Sequence, residues 1–252
     1  MDPVEIAMRR DQMGRAAGAM LQGGPAPVVD HGEGYWMALS GALSPDMNMA
    51  LVSSGGSAAV AGVLDRVTES GTPTLFMLAG ECQSEVPGEP WENVGELPFM
   101  ASALTSDHLV SDPRVRRAGF DDAEVVCQVM AEAFGLGEDL MADVIGGILG
   151  DGSGETSIWL LVDDEVPVSA VLTSMVNDAV TVWCMSTPER FGHRGFGRAV
   201  LAHALLEAKS DGAIVGLLGA TPAGKPLYDR TGWTTLESWR IFASVDSAQF
   251  SH

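Results

Sequence analysis

An apolar run, Thr181-Val182-Trp183-Cys184-Met185-Ser186, ends at Thr187-Pro188 and turns through Glu189-Arg190-Phe191-Gly192-His193-Arg194. Gly195-Phe196-Gly197-Arg198 then opens an amphipathic pattern that reaches Lys209. A strand feeding a helix through a glycine-rich turn restricts this chain more than any other feature. Glycines at 192, 195 and 197 allow positive φ and close backbone approach. The first turn of a helix holds unpaired N–H groups and partial positive charge. Together they make an anion site, most naturally for a pyrophosphate. Each N–H bond to a charged oxygen contributes roughly 1.5–3 kcal/mol. Arg194 and Arg198 add cations there. The order Gly-x-x-Gly-x-Gly is neither the Rossmann G-x-G-x-x-G nor a Walker loop, since no G-K-[ST] follows. Taken alone, the turn reads equally well as packing of a helix on a sheet.

The remainder of the chain opposes an anion. It carries 14 Lys+Arg against 34 Asp+Glu, a formal charge of −20 over 252 residues. That balance argues against nucleic acid, which needs a basic face, and against anionic membranes. It reads as a repulsive, solvated surface or as a field attracting a cationic amine. A hydrophobic share of 46% and a charged share of 19% imply a real core and exclude global disorder. The length suits one large domain or two small ones. No apolar run approaches the roughly 18 residues of a membrane helix. MDPVEIAMRR lacks the plan of a signal peptide, so the expected location is cytoplasmic. Cys82, Cys127 and Cys184 are widely spaced, which indicates neither a disulfide framework nor a metal site.

Helical spacing of Ile6, Met13, Ala17 and Leu21 predicts a helix within residues 1–24, ended by Gly23-Gly24-Pro25. Tyr35–Leu39 and Thr74–Leu78 read as buried strands, with a helix from Ser57 to Glu69 between them. Residues 79–96 read as loop with a short helix, and a strand follows near Phe99–Leu104. Ser111-Asp112-Pro113-Arg114 marks a boundary, giving domains 1–112 and 113–252. Beyond it come helices over 122–134 and 138–149, and strands over 157–162 and 166–174 joined at Asp163-Asp164-Glu165. A strand 179–185, a helix 195–209, a strand 213–218, a helix 223–231 and closing strands over 233–244 complete the pattern. The class is α/β (α+β). A shift of 141 residues lays Ala58, Ala61, Leu64, Gly71 and Ala79 on Ala199, Ala202, Leu205, Gly212 and Ala220. Chance and duplication both explain that echo.

A second segment gives the turn its meaning. Leu217-Leu218-Gly219-Ala220-Thr221-Pro222-Ala223-Gly224-Lys225-Pro226-Leu227-Tyr228-Asp229-Arg230-Thr231-Gly232-Trp233 couples a strand, a short helix bearing Tyr228 and a glycine stop. The two segments at this separation resemble the GNAT superfamily of N-acetyltransferases. Its pyrophosphate motif is Gln/Arg-x-x-Gly-x-Gly/Ala, and its later motif reads like Pro-Leu-Tyr, an acid/basic pair, x, Gly and an aromatic. The resemblance spans about residues 115–245. Gly192 stands where the family usually has Gln or Arg, a position whose role is largely backbone. Residues 1–110 look like a degenerate GNAT half, as in tandem members. The implied fold is a mixed, mostly antiparallel GNAT sheet flanked by helices, with a second, smaller GNAT-like N-terminal domain.

The resemblance implies acetyl-CoA as donor, a small-molecule amine as acceptor, direct attack and no metal. It assigns Met185, Ser186 and Thr187 to pairing with the pantetheine arm. It assigns Gly192, His193, Arg194, Gly195, Phe196, Gly197 and Arg198 to the pyrophosphate, and Thr221 and Gly224 to the same coenzyme. Tyr228 would protonate the leaving thiolate, its other reading being a core tyrosine. Glu189 is a candidate general base or a solvated turn charge, and Asp178 is equally open. Cys184 reads as a nucleophile or as a buried strand cysteine. His193 belongs to the turn, and His203 has no partner discernible in the sequence. The competing function is a non-catalytic acyl-CoA-binding or regulatory module. A monomer and a homodimer both remain open.

Overall fold

The structure, a computed structural model, describes residues 1–105, 109–151 and 154–244. The chain divides into two compact units, Met1–Phe99 with the chain from Thr235 onward, and Met100–Thr234. This differs from the expected 1–112 and 113–252. The reason is strand pairing: the last strand joins the first unit.

In the first unit, α1 (Pro3–Leu21) starts on Asp2, whose carboxylate accepts the Glu5 N–H at 2.9 Å, with proline in the first turn. Strands β1 (Val28–Gly32), β2 (Tyr35–Leu39) and β3 (Asn48–Val52) pair antiparallel in sequence. Helix α2 (Gly56–Ser70) then crosses to β4 (Leu75–Leu78), parallel to β3. Strand β5 (Trp91–Ala103) follows, and β11 (Thr234–Ser244) pairs antiparallel with β4 through Phe242↔Phe76 and Arg240↔Leu78. Val60, Val63 and Val67 form the inner stripe of α2 and pack with Val52, Phe76, Leu78 and Phe242. Asn48 ties the loop before β3. Its side-chain oxygen accepts the N–H groups of Ser40 (2.9 Å) and Gly41 (3.0 Å), and its Nδ2 donates to the carbonyls of Ala42 and Ser44, both at 2.8 Å. Neither β1 nor β3 is among the strands expected from the sequence.

The second unit contains β6 (Val115–Arg117), α3 (Ala123–Phe134), α4 (Asp139–Asp151), β7 (Thr156–Asp163), β8 (Val166–Val176) and β9 (Ala179–Ser186). Helix α5 (Phe196–Ser210), β10 (Val215–Gly219) and α6 (Lys225–Asp229) follow. Strands β6 to β9 are antiparallel neighbours, and β10 runs parallel to β9. The expected hairpin forms. Asp164 and Glu165 both take positive φ, 48° and 65°, as a tight two-residue turn between right-twisted strands requires. Val171, Val180, Val200, Leu201 and Leu218 lie in one buried cluster. The helix expected over 223–231 is shorter, Lys225–Asp229.

Helices α2 and α5 match at an offset of 140 residues at both ends, and each is capped by a left-handed glycine, Gly55 (φ 85°) and Gly195 (φ 83°). The Ala and Leu identities within these helices fall at 141, one residue out of that register. Among the described residues no helix is long and apolar enough to cross a membrane.

Candidate functional site

Strands β9 and β10 pair only from Ala179↔Val215 to Thr181↔Leu217. Beyond that point no backbone bond joins Val182–Ser186 to Leu218–Gly219 among the described residues. The strand ends therefore part at their carboxyl side, where parallel strands commonly receive ligands.

A bulge shapes the β9 wall. Leu172 of β8 faces Trp183, but Ala170 faces Ser186, so Cys184 and Met185 together oppose Val171. Cys184 takes a left-handed φ of 46°, uncommon outside glycine. Buried Ser169 fastens the strand end. Its hydroxyl donates to the Ser186 carbonyl at 2.7 Å and lies 2.8 Å from the Thr187 hydroxyl. The Ser186 hydroxyl donates to the Cys184 carbonyl at 2.8 Å.

The turn leaves a cradle at the start of α5. Gly192 N–H donates to the Glu189 carbonyl at 2.8 Å, closing a 3-10 turn over Glu189–Phe191. His193 has φ 59°, and Gly195 has φ 83° with open space where a Cβ would stand. Among the described residues no side chain caps the first helical amides, those of Phe196, Gly197 and Arg198. At Gly197 a Cβ would stand 3.0 Å from Met185 Cε and 3.1 Å from Thr187 Oγ1. That glycine lets the helix begin against the β9 end.

The cations are placed unequally. Arg194 is half-exposed, pairs with Asp163 at 3.2 Å and lies 4.6 Å over the Phe196 ring. Arg114 shares Asp163 at 2.8 Å and also pairs with Asp112 at 2.8 Å. Nothing along the chain sets Asp163 and Arg114 beside the turn, because three separate segments supply the cluster. Arg198 is exposed and has no acidic partner among the described residues. Thr221 Oγ1 accepts the Gly224 N–H at 3.1 Å, fixing the entry to α6.

Tyr228 on α6 is buried beside Trp233, ring centroids 5.7 Å apart. Burial chiefly, and neighbouring Cys184 second, push its hydroxyl pKa above the ordinary tyrosine value. It therefore keeps its proton at neutral pH. Cys184 is half-buried, and Glu189 is exposed in the turn. His203 does have a partner. Its Nδ1 accepts the Asp112 N–H at 3.1 Å, which accounts for it structurally.

No family model and no curated protein matches this chain. Solved structures do. A GCN5-related N-acetyltransferase from Kribbella flavida aligns over 94% of this chain and 95% of its own, with TM-score 0.63 and 14% identity. A functionally unknown conserved protein from Staphylococcus epidermidis covers 86% of this chain and 94% of its own, with TM-score 0.62 and 13% identity. A GCN5-related N-acetyltransferase from Sphaerobacter thermophilus covers 84% and 76%, with TM-score 0.53 and 11% identity. The chain has the fold of the GCN5-related N-acetyltransferases, with a mixed sheet flanked by helices, as the resemblance implied.

Proposed function

We propose that this protein is an acyltransferase that moves the acetyl group of acetyl-CoA to the amine of a small molecule by direct attack. One observation carries the reading: β9 and β10 part beyond Thr181 and Leu217, and the amides of Phe196, Gly197 and Arg198 at the start of α5, the helix that follows β9, have no side-chain cap. Bound there, acetyl-CoA supplies an acyl group already activated as a thioester. The fit is favourable, because the open space at left-handed Gly195 leaves room for a diphosphate on the amides. Arg194, Arg198 and the Gly192–His193 turn would serve that diphosphate, and Thr221 and Gly224 would meet the same coenzyme from the loop before α6. The β9 edge at Met185, Ser186 and Thr187 offers backbone groups that an amide-bearing arm can pair with as a strand would. Tyr228 holds a proton for the departing thiolate. Glu189 is the proposed base that frees the amine of its proton. The −20 charge favours a cationic acceptor over an anionic one. We place the protein in the cytoplasm, as a monomer or homodimer, with residues 1–110 a degenerate half of the same kind.

Calorimetry with coenzyme A, followed by thiol release from acetyl-CoA over an amine panel, tests the reading. Binding with amine-dependent release is the expected result. Binding without release from any amine would make it a coenzyme-binding module instead. No heat at millimolar coenzyme would overturn both.

A further inference from the structure

We propose, resting on the acyltransferase reading, that Ser169 is a positioning residue for the pantetheine arm. Its hydroxyl ties the end of β9 to β8, so that the other edge of β9 stays extended where β10 has parted from it. Ser169 itself touches neither donor nor acceptor.

Backbone pairing runs out where the arm is proposed to lie. The last pair of the β8–β9 ladder is Ala170↔Ser186, just past the bulge at Cys184 and Met185. On its other side β9 pairs with β10 no further than Thr181. A strand end that follows a bulge and has lost one neighbour bends readily. Side chains supply the missing restraint. Ser169 stands one residue before Ala170 on β8 and is wholly buried.

The proton count fixes the order of the bonds. A serine hydroxyl has one proton to give, and a carbonyl can only accept. Ser169 gives its proton to the Ser186 carbonyl at 2.7 Å. The Thr187 hydroxyl, 2.8 Å from the Ser169 oxygen, must then be the donor of that pair. Ser169 therefore donates to one residue of the β9 end and accepts from the next. The Ser186 hydroxyl donates to the Cys184 carbonyl at 2.8 Å and carries the restraint back to the bulge.

The amides proposed to hold the diphosphate do not depend on this tie. They belong to the first turn of α5, which closes on its own backbone through the Ala199 N–H and the Gly195 carbonyl at 3.0 Å. Loss of the Ser169 hydroxyl should therefore loosen the grip on the arm and leave the grip on the diphosphate.

Calorimetry on the full chain with two ligands tests this: coenzyme A, which has both parts, and ADP, which has the diphosphate without the arm. Ser169→Ala is expected to weaken coenzyme A about tenfold, the scale of a lost hydrogen bond to a buried acceptor. ADP is expected to bind parent and variant alike within twofold, a split that general damage to the fold would not produce. Should Ser169→Ala fail to fold, Ser169→Cys keeps the size with a weak donor and carries the same expectation. The proposal is overturned if the variant binds coenzyme A as the parent does, if ADP weakens as much as coenzyme A, or if ADP gives no heat with the parent. A parent that binds coenzyme A, beside a variant that binds it equally, leaves the acyltransferase reading standing. A parent that binds neither ligand removes that reading and this one with it.

Discussion

Tyr228 combines burial with a retained proton, and that sets what its removal does. Tyr228→Phe keeps the ring packed against Trp233 and removes only the donor. Turnover should fall about a hundredfold, the scale of a positioned acid, while the coenzyme dissociation constant stays within twofold by calorimetry. Unchanged turnover would strip Tyr228 of the role. Asp122 gives a pH prediction. Its carboxylate is held down to about 2, chiefly by Arg116 at 2.6 and 2.7 Å, with the Gly119 N–H also bonding it. A carboxylate with a depressed folded pKa stabilises above its unfolded value near 3.9 and loses that stabilisation as pH falls through the folded one. Melts of the parent should therefore weaken between about pH 4 and pH 2, and Asp122→Asn should flatten that limb. An identical acid limb in the variant would refute the assignment.

Elements are held by a few residues whose backbone or hydrogen bonding admits little change. Gly195→Ala places a Cβ at φ 83°, which costs about 1–2 kcal/mol. The added methyl also fills the open space above the first α5 amides, so coenzyme affinity should drop at least tenfold in titrations. An unchanged affinity would place the anion elsewhere. Asn48→Ala removes five hydrogen bonds and orphans buried backbone groups, an expected loss of about 2–4 kcal/mol in denaturant melts. At this scale the sequence was partly legible. The glycine turn, α5, the β7–β8 hairpin and the Tyr228 helix followed from local spacing. Strand β6 escaped because three residues carry no period, and Val115 alone of them is buried. Strand β3 escaped because all five of its residues are buried, which leaves no alternation to read. The bulge at Cys184 depends on what faces it across β8, and nothing near Cys184 in the chain announces it.

For the whole molecule the two units predict one coenzyme per chain. On the proposed function the parted β9–β10 ends would receive it, and the β3–β4 ends, joined by the Ala79 N–H to the Val52 carbonyl, would not. Calorimetry should return a stoichiometry of one, and coenzyme at a hundred times its dissociation constant should stabilise the fold by about 2.7 kcal/mol. A stoichiometry of two would contradict the closed strand ends. The sequence by itself determined the features set by neighbours along the chain: a strand, a glycine turn that only small residues permit, a helix start with bare amides, and a tyrosine one short helix away. Only the tertiary structure decided that β11 joins the first unit, that β9 parts from β10 beyond Thr181, and that Asp163 holds both Arg114 and Arg194. Those depend on hydrogen bonds and charges between segments far apart in sequence, whose pairing becomes fixed only when the chain has folded.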